Sequence, residues 1–287
     1  MTDQDQSNRV LVGVDGSEDG LRAVRYGVNR IHRTGGDLWL VNALDDGVVA
    51  GGWGVIYDPT VLEQAGRKAI SQATETARDL GLAPERIHTD VLVGHPAVIL
   101  EELSQSAESM ILGRRSATGL ERMFVGSTST SLAATAACPL IVISAASNPG
   151  STTGHHQIAV AVGRGRSDKA LRWGCEEARG RQAELTVIHV LSPSEVRAGA
   201  KTAAGDQPDQ FQQALEDYLK PLREDNPDVT IKAQSVVGDR SDRLLDLSAR
   251  LDLLVLGVRP RPITGIALGG TVRAVMAHAL CPVALIK

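Results

Sequence analysis

The chain is written twice, and no other feature restricts its fold as much. "RVLVGVDGSEDGLRAVRYG" (residues 9–27) resembles "QIAVAVGRGRSDKALRWG" (157–174), and "DLWLVNAL" (37–44) resembles "ELTVIHVL" (184–191). "VLVGHPAVILEELSQSAESMILG" (91–113) resembles "SVVGDRSDRLLDLSARLDLLVLG" (235–257), and "CPLIVIS" (138–144) resembles "CPVALIK" (281–287). The order is kept, and the offset runs only from 148 (Arg9 to Gln157) to 143 (Cys138 to Cys281). Two homologous halves of about 140 residues each follow from a repeat of that length. The joint, "SAASNPGSTTGHH" (144–156), is small and polar with Pro and Gly, as a linker should be. The expected division is a first domain over 1–147, a linker over 148–156 and a second domain over 157–287.

Each half alternates short apolar runs with segments of helical period. In the first half the runs are 10–14, 38–44, 88–93, 110–112 and 140–143. Several are unbroken Val, Ile and Leu, the pattern of strands covered on both faces in a parallel sheet. Between them, residues 18–32, 61–80, 96–106 and 128–137 carry apolar residues at helical spacing. The fold class is therefore α/β, with two tandem doubly wound domains, each a five-stranded parallel sheet of Rossmann-like type. Aromatic residues make up only 3% of the chain, so its core must rest on aliphatic side chains. Such sheets take ligands beyond the carboxyl ends of their strands, where the strand order reverses.

Two loops at that edge could carry chemistry. "DGSEDG" (15–20) puts Asp15 directly after the first strand, flanked by Gly13 and Val14. Its carboxylate could accept from ribose hydroxyls or an adenine amine, or help hold a metal ion. It could equally cap the following helix, which Asp and Ser do well. The loop after the fourth strand, "GRRSATGLERMFVGSTS" (113–129), begins at Gly113 and ends in Gly126-Ser127-Thr128 at a helix start. Glycine permits close backbone approach. The unpaired amides of a helix N-terminus, with the hydroxyls of Ser127 and Thr128, suit a phosphate. Arg114, Arg115 and Arg122 could offset phosphate charge or simply solvate an exposed loop.

Taken together, "VLVGVDGS", "GHPAVILEEL", "ILGRRSATGLERMFVGSTS" and "CPLIVI" resemble the universal stress protein family. Nucleotide-binding members of that family carry a G-2x-G-9x-G-S/T frame after the fourth strand. Here the frame reads Gly113, two residues, Ser116, nine residues, Gly126, Ser127, so one glycine has become serine. The similarity spans both halves. It implies an ATP-binding regulatory or stress-response protein, commonly dimeric through its last strands, with ATP held with or without Mg²⁺. By position, the resemblance implies that Asp15 meets the nucleoside and that the backbone of Ala43 lines the adenine slot. Gly113, Arg115, Ser116, Gly126, Ser127 and Thr128 would hold ribose and phosphates.

The second half departs further from the frame. Gly163 stands where Asp15 stands, and Val190 where Ala43 stands. After Gly257 the second family glycine is Pro260, which has no N–H to offer a phosphate. Gly270-Thr271 preserves the nine-residue gap, whereas the distance back from Cys281-Pro282 favours Gly269-Gly270. A nucleotide site built from Gly163, Val190, Gly257, Gly269, Gly270 and Thr271 is expected to be weaker than the first.

Other function classes find less support. "GRGRSD" (163–168) imitates a dinucleotide fingerprint but has Asp168 where the third glycine belongs, and no Walker-type G-x-x-x-x-G-K-[ST] occurs. A net charge of −4 leaves no basic footprint for nucleic acid. No apolar run approaches the roughly 18–20 residues of a membrane span. The polar, acidic N-terminus and three unclustered cysteines suit a cytoplasmic chain with reduced thiols. His189 reads as a core or edge histidine. The Gly-rich stretch 45–59, with Trp53 and Tyr57, reads either as a lid or as a plain connection. Three functions compete: an ATP-dependent regulatory protein, an ATP-hydrolysing or nucleotidyl-transferring enzyme, and a dimerisation scaffold. No motif loop pairs a nucleophile with a base, so the first is preferred and catalysis is not expected, with slow ATP hydrolysis left open. ATP and a second copy of the chain are the expected partners.

Overall fold

The computed structural model describes residues 8–45, 59–114, 125–147, 154–163, 168–199, 207–258 and 268–287. The chain forms two compact units whose main division falls between Gly150 and Ser151. In the first, β1 (Arg9–Gly13), α1 (Glu18–Thr34), β2 (Asp37–Leu44), α2 (Pro59–Asp79) and β3 (Ile87–Val93) are followed by α3 (Pro96–Leu103), β4 (Ser109–Gly113), α4 (Ser127–Thr135) and β5 (Leu140–Ile143). The strands pair in parallel in the order β3-β2-β1-β4-β5.

The unbroken apolar runs lie where both faces of the sheet are covered. Val10, Leu11, Val12, Ile111 and Ile141 are fully buried. β3, on the edge of this sheet, has no buried residue. α1 lays Ala23, Val24, Gly27, Val28 and Ile31 on the sheet. Its start is fixed by Ser17, whose Oγ accepts from the Gly20 N–H at 3.0 Å, and by Glu18 and Asp19 in the first turn, where carboxylates suit the helix dipole. The helix expected over 96–106 ends earlier, at Leu103, and continues as a 3₁₀ turn, Ser104–Ser106. There Ser104 Oγ donates back to Glu101 O at 2.5 Å and accepts from the Ala137 N–H at 2.8 Å.

The second unit repeats the plan with β6 (Gln157–Val162), α5 (Asp168–Arg181), β7 (Glu184–Leu191), α6 (Pro193–Gly199), α7 (Gln207–Asp225) and β8 (Ile231–Val237). It closes with α8 (Arg240–Ser248), β9 (Leu253–Gly257), α9 (Gly270–His278) and β10 (Val283–Ile286). Its order is β8-β7-β6-β9-β10, again parallel throughout. Gly27 and Gly174 hold equivalent places, each letting its helix settle onto the central strand, over Val12 and Val160 respectively. Cys138, Cys175 and Cys281 are all buried, and none of them is joined in a disulfide. Among the described residues no helix is long and apolar enough to cross a membrane.

Candidate functional site

From β1 the chain winds outward to β2 and β3, then returns to β4 on the other side of β1. The two strands that flank this reversal leave a crevice at their carboxyl ends. The loop after β1 and the N-terminus of α4 both open onto it.

Asp15 lies exposed two residues beyond β1. Its Oδ1 accepts from the Ser17 N–H at 3.0 Å. The cap of α1 is Ser17, so of the two roles open to Asp15, capping belongs to its neighbour. Asp15 is placed by a strap that the sequence does not announce. Val14 donates its N–H to Val41 O at 2.9 Å and takes Asn42 Nδ2 on its carbonyl at 2.7 Å. Val14 is 4% exposed. Buried, with its N–H and its carbonyl both engaged, Val14 fixes the strand end that carries Asp15. Gly13 is closely packed as well. A Cβ on it would lie 2.5 Å from Leu112 Cδ2 and 3.3 Å from Leu100 Cδ1, so its glycine makes room for the core.

Gly113 joins the two loops. A Cβ there would sit 2.8 Å from both Asp19 C and Gly20 N, so β4 ends pressed against the first turn of α1. Its carbonyl accepts from Ser129 Oγ at 3.1 Å, which ties it to α4. Gly126 is the N-cap of α4, with φ −58 and ψ 149 and no side-chain capping bond. It donates to Arg114 O at 2.9 Å. The amides of the first turn of α4 thus have no side chain of their own cap to satisfy them, with Ser127 exposed and Thr128 half-buried beside them. Ala43, near the end of β2, is half-buried. Arg114 is 6% exposed, which corrects its reading as a solvating loop arginine. Arg115, Ser116, Arg122, Trp53 and Tyr57 lie outside the described residues.

The second unit keeps the frame and changes its chemistry. Gly163 is exposed, and among the described residues nothing lies within 4 Å of the place a Cβ would take. Gly257 ends β9 and is exposed. Gly269 is the N-cap of α9 with φ −58 and ψ 148, matching Gly126. The ambiguity of "LGGT" is thereby settled: Gly269 corresponds to Gly126, Gly270 to Ser127 and Thr271 to Thr128. Ser129 becomes Val272, so the hydroxyl that holds Gly113 has no equivalent. Val190 is buried, and its carbonyl accepts from Arg240 Nε at 3.3 Å. Pro260, Arg164 and Arg166 lie outside the described residues.

Sequence reasoning passed over Asn42, Ser129, Arg240 and Glu195. Only Glu195 carried a local signal, as the fourth residue of the Ser-x-x-Glu capping pattern "SPSE". His189, the counterpart of Asn42, is half-buried between apolar neighbours on β7. The strongest shifts in acidity lie away from these loops. Burial pushes the Cys175 thiol up to about 11, and burial pushes that of Cys281 up to about 12. Among the described residues no three His, Cys, Asp or Glu side chains gather as metal ligands.

Comparison with known proteins agrees with this architecture. The profile of the Universal stress protein family matches residues 7–144 and again 154–287. A universal stress protein of Mycobacterium tuberculosis is 29% identical over 285 residues, covering 96% of this chain and 95% of its own length. One from Mycolicibacterium smegmatis is 27% identical over 293 residues, covering 97% and 96%. The crystal structure of a universal stress protein from Archaeoglobus fulgidus superimposes with a TM-score of 0.73 at 17% identity, covering 99% of this chain and 97% of that one.

Proposed function

We propose, since the chain belongs to the universal stress protein family, that its first half is an ATP-binding regulatory module acting in the cytoplasm. The nucleotide would lie across the carboxyl ends of β1 and β4. The observation that carries this reading is the joining of the Asp15 loop, Gly113 and the uncapped N-terminus of α4 into one crevice rim: Gly113 packs against Asp19 and Gly20, and its carbonyl accepts from Ser129 of α4.

The residues present fit the group. The Asp15 carboxylate can accept from ribose hydroxyls or from the adenine amine. The backbone of Ala43 can line the base. The first-turn amides of α4, with the Ser127 and Thr128 hydroxyls, can receive phosphate oxygens, and the helix dipole favours that charge. Among the described residues the nearest heavy atom to a Cβ at Gly126 would be Arg114 O at 3.6 Å, and with no side chain of its own Gly126 lets a phosphate approach the backbone. A magnesium ion would come bound to the phosphates, with Asp15 as the carboxylate at hand. Bound ATP would supply a polyanion whose presence orders the loops at the strand ends. Occupancy, rather than turnover, is then the signal.

The test is to denature the purified protein and identify any released nucleotide, then to titrate the emptied protein with ATP. The reading predicts one site per chain, weakened at least about tenfold in Asp15→Ala, the scale of one charge-assisted hydrogen bond. Absence of ATP binding in magnesium buffer sinks it. Repeated turnover of ATP that Asp15→Ala abolishes would replace it with an enzyme.

A further inference from the structure

β2 and β7 run in the same register, Ala43 beside Leu92 and Val190 beside Val236. Along a parallel strand the backbone groups of successive residues point to alternate neighbours. In the first half Val41 O accepts from Val14 and Leu44 O from Gly94. The carbonyl of Ala43 therefore points to the β1 side, past the last ladder bond, into the crevice. By the same alternation Val190 O points into the crevice of the second half.

There it meets a side chain. Arg240, the first residue of α8, crosses the end of β7 and donates from Nε to Val190 O at 3.3 Å. Its Nη2 lies 2.7 and 2.8 Å from the two carboxylate oxygens of Glu195. Glu195 is itself held. Its Oε2 accepts from the Ser192 N–H at 2.7 Å and from Ser192 Oγ at 2.8 Å, and its own N–H donates to Ser192 Oγ at 3.3 Å. This is the capping box of α6, with Pro193 at the first helical position. The Glu195 side chain is 13% exposed, so the guanidinium is anchored by a shielded, fixed carboxylate.

We infer that Arg240 and Glu195 close the second half to a nucleoside and so limit the chain to one bound nucleotide. The inference rests on the proposed ATP site in the first half. A base entering the second crevice would have to displace a charge-assisted contact and strand Glu195 without its cation. Pro96 stands in the first half where Arg240 stands, and it has no donor to do the same. Gly163 adds to the effect by withholding the carboxylate that Asp15 supplies. Arg240 is thus a specificity-determining residue: it distinguishes two halves that share one frame.

Calorimetric titration with ATP tests this on four full-length proteins. The wild type should show one site. Arg240→Ala/Gly163→Asp should show two; among the described residues nothing lies within 4 Å of a Cβ at Gly163. Adding Asp15→Ala to that pair should weaken the first-half site at least about tenfold and leave the second-half site the tighter of the two. Glu195→Gln keeps the capping acceptor and loses the charge, and should raise ATP affinity in the second half about tenfold, the scale of one such contact. Two sites in the wild type, or a single site that no Arg240 or Glu195 variant raises to two, overturns the inference. A wild type with no site at all refutes the function reading instead. The inference then stands if Arg240→Ala/Gly163→Asp gains a site and falls if it does not.

Discussion

Gly113 and Gly126 are both glycines of the family's nucleotide frame, yet the structure gives them different tolerances for a methyl group. At Gly113 a Cβ would lie 2.8 Å from Asp19 C and Gly20 N and 3.0 Å from Asp19 Cβ. Carbon atoms rest about 3.5–4.0 Å apart, so β4 and the first turn of α1 must separate by several tenths of an ångström or more. Two of these neighbours are backbone, which no rotamer can move aside. The same Gly20 N–H makes the capping bond to Ser17, so the displacement also strains the start of α1. Overpacking costs about 1–3 kcal/mol and a weakened cap about 1 kcal/mol, giving about 2–4 kcal/mol for Gly113→Ala. At Gly126 the nearest heavy atom among the described residues would be 3.6 Å away, and φ is −58. Gly126→Ala should therefore cost no more than about 1 kcal/mol, since the preference of the N-cap for glycine over alanine is offset by the gain through the unfolded chain. In differential scanning calorimetry, at roughly 3 °C per kcal/mol for a unit of this size, the first-half transition should fall by about 6–12 °C in Gly113→Ala. In Gly126→Ala it should move by no more than about 3 °C. Equal melting of the two variants would refute the close-approach argument for Gly113.

Other perturbations read the same rim. Asn42→Ala removes the bond to Val14 O from a residue only 6% exposed and should cost about 1–3 kcal/mol in urea unfolding; an unchanged midpoint would contradict its role as the strap of β1. Ser129→Ala frees the Gly113 carbonyl and should cost about 1 kcal/mol, with ATP affinity lowered less than tenfold, because Ser129 positions the rim rather than touching the ligand. The buried, raised thiols of Cys175 and Cys281 hold their protons well above neutral pH. Both should therefore resist iodoacetamide at pH 8 in folded protein and react once it is unfolded, as followed by mass spectrometry. Rapid native labelling of either would show that its surroundings are open.

Much of the fold was legible because parallel strands covered on both faces must be runs of Val, Ile and Leu, and the repeat showed two such sets. The site was legible where a residue's role is local, as in the "GST" at the start of α4. It was not legible where a role depends on a partner far along the chain. The packing role of Gly113 was hidden because its near neighbours are Asp19 and Gly20, more than ninety residues earlier in the chain. Asn42 read only as a polar residue on a strand, because its bond to Val14 spans 28 residues. Asp15 and Ser17 both suit a helix cap, and only backbone geometry at Ser17 (ψ 159) decides between them. Arg240 and Glu195 meet across 45 residues. Nothing in "GDRSDR" or "SPSE" says that the two come together at the end of β7.

The claim that nucleotide occupies the β1–β4 crevice of the first half, and not its counterpart, is tested most directly by hydrogen–deuterium exchange with and without ATP. The account predicts slowed exchange in peptides covering the Asp15 loop and the first turn of α4, with none at Val190 or the start of α9. Protection centred on the second half, or no change in either crevice at saturating ATP, would contradict it.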